Sequence, residues 1–297
     1  MDINAANLRA IHTGLSTAFN TRLNNTTTFY GQLAMTANSV TAMNEYPRLD
    51  DLPGMREWIG DRVVHDLSAQ SYIIRNRKFE MTLGILRDQI EDDQIGMFTP
   101  VASEMGLAAA EFPDQLIFPL FKAGATTRCY DGQYFFDTDH PGYSEGGGET
   151  SVSNFQDGPG PAWYLIDDSR VIKPMVWQNR RAFQLVAKNS LDDDNVFWRD
   201  QFVWGVDGRC NAGFGLWQLA YMSKQPLNAE NYQIARTRMS TIRKRSGQII
   251  NILPRKLLVP PTLETEGRRL LEAEMINGGD TNIWKGTAEL SVIPHLG

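Results

Sequence analysis

The feature that most constrains the fold is a long apolar helix predicted over residues 99–123. Thr99 is a suitable N-cap, and Pro100 fits the first helical position, where its missing N–H costs nothing. Gly124 is a natural C-terminal stop. Apolar side chains follow at steps of three and four residues, which is the spacing of one helix face: Phe98, Val101, Met105, Ala108, Phe112, Leu116 and Leu120.

Two prolines, Pro113 and Pro119, lie inside this predicted helix. A continuous helix of this length is roughly 37 Å long, and each proline predicts a bend about a turn before it. The alternative is a pair of shorter helices separated near Pro113. The uninterrupted apolar spacing favours the continuous helix.

The chain before the helix has a weaker pattern. Residues 1–50 are polar, with a stretch at 21–28 that is rich in Thr and Asn. Such a segment buries little by itself, so we expect an arm that is ordered by lying across another surface. Residues 51–84 indicate an extended loop and then a leading strand, in which apolar residues alternate with polar ones.

The chain after the helix mixes short strands and helices. Residues 126–162 are rich in turn signals, such as Asp131-Gly132. The patterns predict strands at 171–186, 196–204, 249–259 and 288–293, a short helix at 213–222, a helix at 228–246 with Asn228 as N-cap, and a last helix from Thr262 to Met275. The sum is an α+β chain with local hairpins.

Charge and composition exclude some classes of protein. The formal net charge is −6 and the isoelectric point is about 5.3. That balance argues against a protein whose main task is gripping phosphate backbones. The sequence shows no signal-peptide pattern and no apolar run long enough to span a bilayer, so we expect synthesis in the cytosol and no membrane partner.

Motifs for catalysis or metal binding are weak. P-loop, GxGxxG, GxSxG and HExxH patterns are absent. Cys129 and Cys210 have no CxxC spacing, and the four histidines are scattered, so we expect buried free thiols. Asp137, Asp139 and His140 form the most catalytic-looking group, but a turn at Pro141-Gly142 explains it. We therefore predict no catalytic residue, no metal and no cofactor.

Charged clusters leave several interpretations open. The acidic runs at 91–93 and 192–194 are typical of solvated turns or helix N-termini. A basic cluster lies near the end of the helix predicted at 228–246. It fits a solvated helix face, a contact with another subunit, or a contact with nucleic acid; its members are Arg236, Arg238, Arg243, Lys244 and Arg245.

Several blocks, taken in order, resemble the major head subunits (the T-type subunit family) of Mu-like tailed phages. The N-terminal blocks are EWIGDR at 57–62, NRKFEMTL at 76–83 and EDDQIG at 91–96. The later blocks are DGQYFF at 131–136 with DHP at 139–141, LLVPP at 257–261, and 282–286. Each block is short, but their colinearity over almost the whole chain identifies the family.

The resemblance implies the α+β fold of tailed-phage capsids, often called the HK-ninety-seven fold. It implies an N-terminal arm at 1–50 and an extended loop with its leading strand at 51–84. The spine helix of the peripheral domain would occupy 85–125, and the axial domain 126–297. The segment that returns to the peripheral domain would be 196–204 or 288–293.

The function implied is a structural subunit, not an enzyme, that assembles as pentamers and hexamers into an icosahedral shell around double-stranded DNA in the virion. The implied partners are a separate scaffolding protein and maturation protease, a portal at one vertex, and a decoration protein. The alternatives are an encapsulin-like nanocompartment shell with protein cargo and a metal-dependent hydrolase that uses Asp137, Asp139 and His140.

Subunit contacts are expected where aromatic or arginine side chains lie in segments that bury little by themselves. Trp58 is a large ring between Glu57 and Asp61, and Arg62 can form a bidentate pair with a neighbour's carboxylate. The full set of candidates is Trp58, Arg62, Arg75, Arg77, Arg243 and Arg245.

Overall fold

The computed structural model describes residues 2–39, 41, 43–46, 72–92, 94–276 and 279–297. Trp58, Arg62 and most of the predicted extended loop lie outside the described residues. The helices in the described part are α1 (Ala5–Asn25), α2 (Tyr30–Leu33), α3 (Arg87–Glu91), α4 (Phe98–Lys122), α5 (Asp194–Arg199), α6 (Ala229–Ser240) and α7 (Glu264–Leu271). None of them is long and apolar enough to cross a membrane.

The described strands form two main sheets and three small hairpins. In chain order they are β1 (Ala34–Asn38), β2 (Met43–Tyr46), β3 (Tyr72–Arg75), β4 (Arg77–Leu86), β5 (His140–Tyr143), β6 (Glu149–Val152), β7 (Phe155–Gln156), β8 (Trp163–Ile166), β9 (Met175–Lys188), β10 (Gln201–Phe214), β11 (Ala220–Ser223), β12 (Lys256–Val259), β13 (Met275–Ile276), β14 (Asp280–Thr281) and β15 (Glu289–Val292).

One layer of the molecule is a four-stranded sheet in the order β1-β9-β10-β4, covered by α1 and α4. The long strands β9 and β10 are antiparallel, and β10 also pairs antiparallel with β4. Phe202, Trp204 and Val206 alternate along β10 and are buried beneath the helices. The alternation predicted for β4 is confirmed, since Phe79, Met81 and Leu83 are half-buried. Met81 and Leu83 pack on these same cores, and Phe79 packs on the largest apolar core of the molecule.

The long helix α4 is continuous through both prolines, so the alternative of two shorter helices is wrong. Its buried face differs from the predicted stripe by about one residue: Ala102 and Ala109 are buried, whereas Val101 is exposed. The reason is that small residues, not large ones, face α1 and allow the two helix backbones to approach closely. Thr99 is not the N-cap, because the helix already begins at Phe98.

The expectation that residues 1–50 bury little by themselves is wrong for 5–25. These residues form α1, which packs along α4 of its own chain. Leu8, Ile11, Leu15 and Phe19 are buried in that contact. Asn4 caps the helix, because its side chain accepts hydrogen bonds from the backbone N–H groups of the first turn.

The second layer is a five-stranded sheet in the order β15-β12-β8-β11-β7. Its strands are short: β8 and β11 are fully buried, β12 is mostly buried, and the edge strands β7 and β15 are partly exposed. The buried strands join the largest apolar core, which also includes the C-terminal part of α4. The helix predicted at 228–246 is confirmed over Ala229–Ser240 as α6, with Asn228 accepting a hydrogen bond from the N–H of Asn231. Residues 241–246 lie beyond its end and are not helical. The strand predicted at 288–293 is confirmed as β15.

Other boundaries differ from the predictions. Residues 196–204 are not one strand, because α5 precedes β10. The strand predicted at 249–259 is limited to β12, and the last helix begins at Glu264 without a cap from Thr262. Of the two candidate return segments, β10 pairs with β4 beside α4, whereas β15 pairs with β12 in the other sheet.

A buried carboxylate joins three distant parts of the chain. Asp114, in the middle of α4, accepts hydrogen bonds from the backbone N–H groups of Phe29 at 3.0 Å and Tyr30 at 2.6 Å. The ring Nε2 of His295, near the C-terminus, lies 4.0 Å from the same carboxylate. Burial raises the pKa of Asp114 above its ordinary value, and the two N–H groups and His295 oppose that shift. Asp114 therefore fixes the start of α2 and the C-terminal turn against α4.

Candidate subunit-contact surfaces

The turn between β9 and β10 carries an exposed aromatic pair. Val196 of α5 is buried with Leu8 and Phe202, which ties the turn to α1 and the sheet. The next two side chains point away from that core: Phe197 is 74% exposed and Trp198 is 76% exposed. Their rings meet edge to face with centroids 4.9 Å apart. Two large aromatic side chains that face solvent next to each other are typical of interface anchors.

Exposed apolar side chains concentrate at this end of the molecule. This end is formed by α3, α5, the start of α4 and the ends of β4 and β9. These elements lie together because their inward residues pack in one core. Of the fourteen large apolar side chains that are exposed among the described residues, seven lie here. We call these seven the distal patch: Leu86, Met97, Val101, Val186, Leu191, Phe197 and Trp198. Apolar surface gathered in one region marks an interaction site.

A groove lies beside the aromatic pair, between the start of α1 and the chain that leads from β9 into α5. Its volume is about 320 Å³. Leu8 and Leu191 give it an apolar lining, and Arg9 and Asp192 place opposite charges beside them. The side chain of Asn189 donates a hydrogen bond to the carbonyl of Leu8 and so holds the two walls together.

Side chains of the types that bind metals or take part in catalysis lie together inside the protein, away from the distal patch. Asp131 accepts hydrogen bonds from the thiol of Cys129 at 3.0 Å and from the backbone N–H of Gln133 at 3.1 Å. The ring Nδ1 of His140 lies 2.7 Å from the other carboxylate oxygen. The imidazole is fully buried and stacks on Trp217, with ring centroids 3.9 Å apart.

This triad corrects the expectation that no histidine joins a cluster. Cys129, Asp131 and His140 have ligand atoms within 4.8 Å of one another, which is a spacing that could hold a metal ion. The contacts of Asp131 with Cys129 and His140 join the turn at 131–132 to β5, so we interpret the triad as a structural link. The other ring nitrogen of His140, Nε2, is buried without a hydrogen-bond partner among the described residues.

The predicted group of Asp137, Asp139 and His140 does not form, because His140 is directed towards Asp131. Asp137 accepts hydrogen bonds from the N–H groups of Tyr134 and Thr138, which confirms the turn interpretation for that residue. The hydrogen bond and negative charge of Asp137 raise the pKa of the exposed Asp139.

The acidity of Asp131 leads to a testable dependence of stability on pH. Burial alone would raise its pKa, but the hydrogen bonds and charge of His140, with the Cys129 and Gln133 contacts, outweigh burial and lower the pKa below its ordinary value of 3.8. A lowered pKa in the folded state stabilises the fold at pH values above 3.8, and this contribution is lost as pH falls through the folded value.

We expect Asp131→Asn to lower the free energy of unfolding at pH 7 by about 1 to 3 kcal/mol, the range for hydrogen bonds to charged groups. The difference from the unmodified chain should shrink below about pH 4. Urea denaturation across this pH range measures both effects. The matched control is Asp280→Asn at an exposed carboxylate. An equal loss of stability at pH 7 and at pH 3 would contradict the role assigned to the charge.

The predicted contact arginines have different surroundings. Arg75 and Arg77 are exposed on β3 and β4, and Arg77 lies over the ring of Phe79 at 5.2 Å. Arg245 is exposed on a turn. Arg243 donates a hydrogen bond to the carbonyl of Gly247 and lies 3.6 Å from a carboxylate oxygen of Glu145, so its contacts lie within its own chain.

The remaining basic residues near α6 do not form a free helix face. Arg236 donates hydrogen bonds to Tyr232 Oη and to the carbonyls of Pro254 and Thr287. Arg238 donates to Tyr221 Oη at 2.9 Å. The solvated-face interpretation is therefore wrong for Arg236, which is half-buried. Arg238 is exposed, and it also links α6 to Tyr221 of its own chain. Sequence patterns could not separate such internal arginines from surface ones.

Both cysteines are buried thiols that are not joined in a disulfide, as predicted. Burial raises the pKa of the Cys210 thiol to about 12, so it stays protonated at neutral pH.

Comparisons with known proteins agree with a shell subunit. Residues 8–296 match the family described as Mu-like prophage major head subunit gpT. The chain is 37% identical to the major capsid protein of Escherichia phage Mu over 305 residues, which covers 100% of both chains. It superimposes on a chain of the procapsid of bacteriophage JBD30 with a TM-score of 0.87 and 39% identity, over 99% of this chain and 100% of the other.

A further solved structure is the capsid of bacteriophage JBD30 decorated with minor capsid protein trimers. It matches with a TM-score of 0.75 and 28% identity over 90% of each chain. The α+β architecture is thus that of tailed-phage major capsid proteins. The chain belongs to the family of Mu-like prophage major head subunits, and it is a structural subunit of a phage capsid. The alternatives of a nanocompartment shell and a metal-dependent hydrolase have no support in these findings.

Proposed function

We propose that the chain assembles as pentamers and hexamers into a closed icosahedral shell that encloses double-stranded DNA. The observation that carries the proposal is the agreement with the JBD30 procapsid chain over 99% of this chain. One sequence that occupies both five-fold and six-fold surroundings needs rigid domains and adjustable contacts at their edges. The two sheet layers supply the rigid parts, and the distal patch supplies an unsatisfied contact surface.

We assign the domains of the capsid fold to the described elements as follows. The peripheral domain comprises α1, α4 as the spine helix, and the four-stranded sheet. The axial domain comprises the five-stranded sheet with α6 and α7. The hairpin of β9 and β10 is the return segment, since β10 pairs with β4. Because α1 packs on its own spine helix, we assign the role of the N-terminal arm to those residues of 1–50 that follow α1.

We assign inter-subunit contacts to Arg75, Arg77 and Arg245, whose side chains are exposed. The same role is proposed for Trp58 and Arg62 in the extended loop. Arg243 is a weaker candidate for this role than the others, because its guanidinium already has partners in its own chain.

The contacts with DNA are proposed to be weak and independent of sequence. The net charge of −6 disfavours adhesion of the shell wall to a polyanion. Arg236 and Arg238, the first two members of the basic cluster, are engaged in internal hydrogen bonds. Packaged DNA is therefore confined by the wall and not gripped by it.

The remaining partners follow from the family. A scaffolding protein and a maturation protease act during assembly in the host cytoplasm, and a portal occupies one vertex. The decorated JBD30 capsid supports a decoration protein on the outer surface of this shell as well. No catalytic step is assigned to the chain, and the Cys129–Asp131–His140 triad has a structural role.

The content of purified particles tests the proposal. Particles isolated from phage-producing cells should contain nuclease-protected double-stranded DNA, with the chain as their main protein. Nuclease treatment of disrupted particles provides the control for protection. Particles that are filled with a folded enzyme and hold no DNA would contradict the proposal and favour a nanocompartment.

A further inference from the structure

We propose that the aromatic pair Phe197–Trp198 of one subunit inserts into the groove at the start of α1 of a neighbouring copy. The contact joins the same end of successive subunits head to tail. It rests on the function as a shell subunit and adds the surface, the partner and the direction of one contact.

The fit begins with shape. The pair projects from α5, and the groove lies beside it on the same end, lined by Leu8 and Leu191. Its volume of about 320 Å³ is near the lower bound of pockets that enclose whole small ligands, roughly 300 Å³, so it is large enough for one indole ring. Because one surface carries both a projecting ring and a groove, each copy can insert its ring into one neighbour and accept the ring of another neighbour in its groove.

Charge favours the head-to-tail arrangement. On the projecting side, Arg199 follows the aromatic pair and is exposed. On the groove side, the exposed Asp192 lies at the rim. When the pair of one copy enters the groove of the next, Arg199 meets the opposite charge. A like-with-like contact would instead bring the acidic residues Asp192 and Asp194 of two copies together, which is unfavourable. Asp200 does not add to this repulsion, because it lies 3.5 Å from Arg87 of its own chain.

The small surface area of the two rings explains why this contact would form only within a larger assembly. The two rings expose roughly 250 Å² between them, given the size of aromatic side chains. A stable pair of proteins buries at least about 1,200 Å². This contact alone is too small to hold two free subunits, so it forms only among copies that other contacts bring together. A head-to-tail contact that repeats around an axis closes into a ring.

Directed disulfides test the direction of the contact. Arg199→Cys and Asp192→Cys are placed in separate, differently tagged copies, which are co-assembled and then oxidised. The native thiols are buried and do not compete. We expect cross-linked dimers that contain both tags, and no dimers from shells of either variant alone. Dimers in shells of Arg199→Cys alone, or no dimers in any shell, would overturn the proposal.

Removal of the aromatic pair tests its importance. We expect the double variant Phe197→Ser/Trp198→Ser to fold with an unchanged melting temperature, because both rings are exposed, but to give at least tenfold fewer shells. The matched control is Val171→Ser/Ile283→Ser, at side chains that are 91% and 73% exposed elsewhere. Shells of the double variant at normal yield, including shells that only fail to bind a decoration protein, would overturn the proposal. Shell formation by the unmodified chain reports separately on the proposed function.

Discussion

Gly106→Leu is expected to lower the free energy of unfolding of the subunit by about 3 kcal/mol, the upper part of the range for overpacked cores. A Cβ atom at Gly106 would lie 2.4 Å from the carbonyl oxygen of Phe19 and 3.1 Å from the Cβ of Arg22. The obstacle is the backbone of α1 and not a flexible side-chain end, so α1 must move away from α4. That movement would uncover Phe19, which is completely buried.

Gly14→Leu is the matched control, since it makes the same change in α1 at a position where a Cβ meets nothing within 4 Å. Leucine has a helix propensity better than that of glycine by up to about 1 kcal/mol, so this variant should be as stable as the unmodified chain or more stable. Urea denaturation of both variants measures the difference. A stable Gly106→Leu subunit that fails only in assembly would show that α1 docks on a neighbouring copy instead.

Asp114→Ala is expected to lower the free energy of unfolding by about 2 to 4 kcal/mol, because two N–H groups in the fold lose a charged acceptor. Phe29 and Tyr30, which carry those groups, begin the connection from α1 to the four-stranded sheet. Asp114→Asn retains an acceptor and should cost less than the alanine variant. Asp157→Ala is the control at a side chain that is 79% exposed, where we expect a change of at most about 0.5 kcal/mol.

The pH dependence distinguishes the charge of Asp114 from its geometry. Burial raises its pKa above the ordinary value of 3.8. A raised pKa in the folded state means that folding favours the protonated carboxyl over the carboxylate, so stability from this group falls as pH rises above 3.8 through the folded value. Thermal melting of Asp114→Asn should lack this decline. A decline of the same size in the variant would assign it to another group.

The sequence predicted the elements whose signals are local. The helix α4 has a long apolar period, α6 has an Asn cap and an acidic first turn, and β4 alternates cleanly. The helix α1 was missed because most of its outward residues are Thr, Ser and Asn, which resemble a loop in composition. Its apolar residues at 8, 11, 15 and 19 were the available signal.

Partners that depend on tertiary structure could not be predicted. His140 has three acidic residues nearby in sequence, and only the hairpin of β5 and β6 decides that Asp131 is its partner. The exposed pair at 197–198 looks like part of a buried strand when only apolar periodicity is considered. The exposure of the pair becomes apparent only when Val196 is seen to occupy the core instead.

The most direct test of the central claim is electron cryomicroscopy of the chain produced together with its scaffolding protein. We expect closed shells in which one fold, with α4 as its spine, occupies both five-fold and six-fold positions. The distal patch should be covered by neighbouring copies in such shells. A compact monomer as the only species under every assembly condition would contradict the proposed assembly into a closed shell.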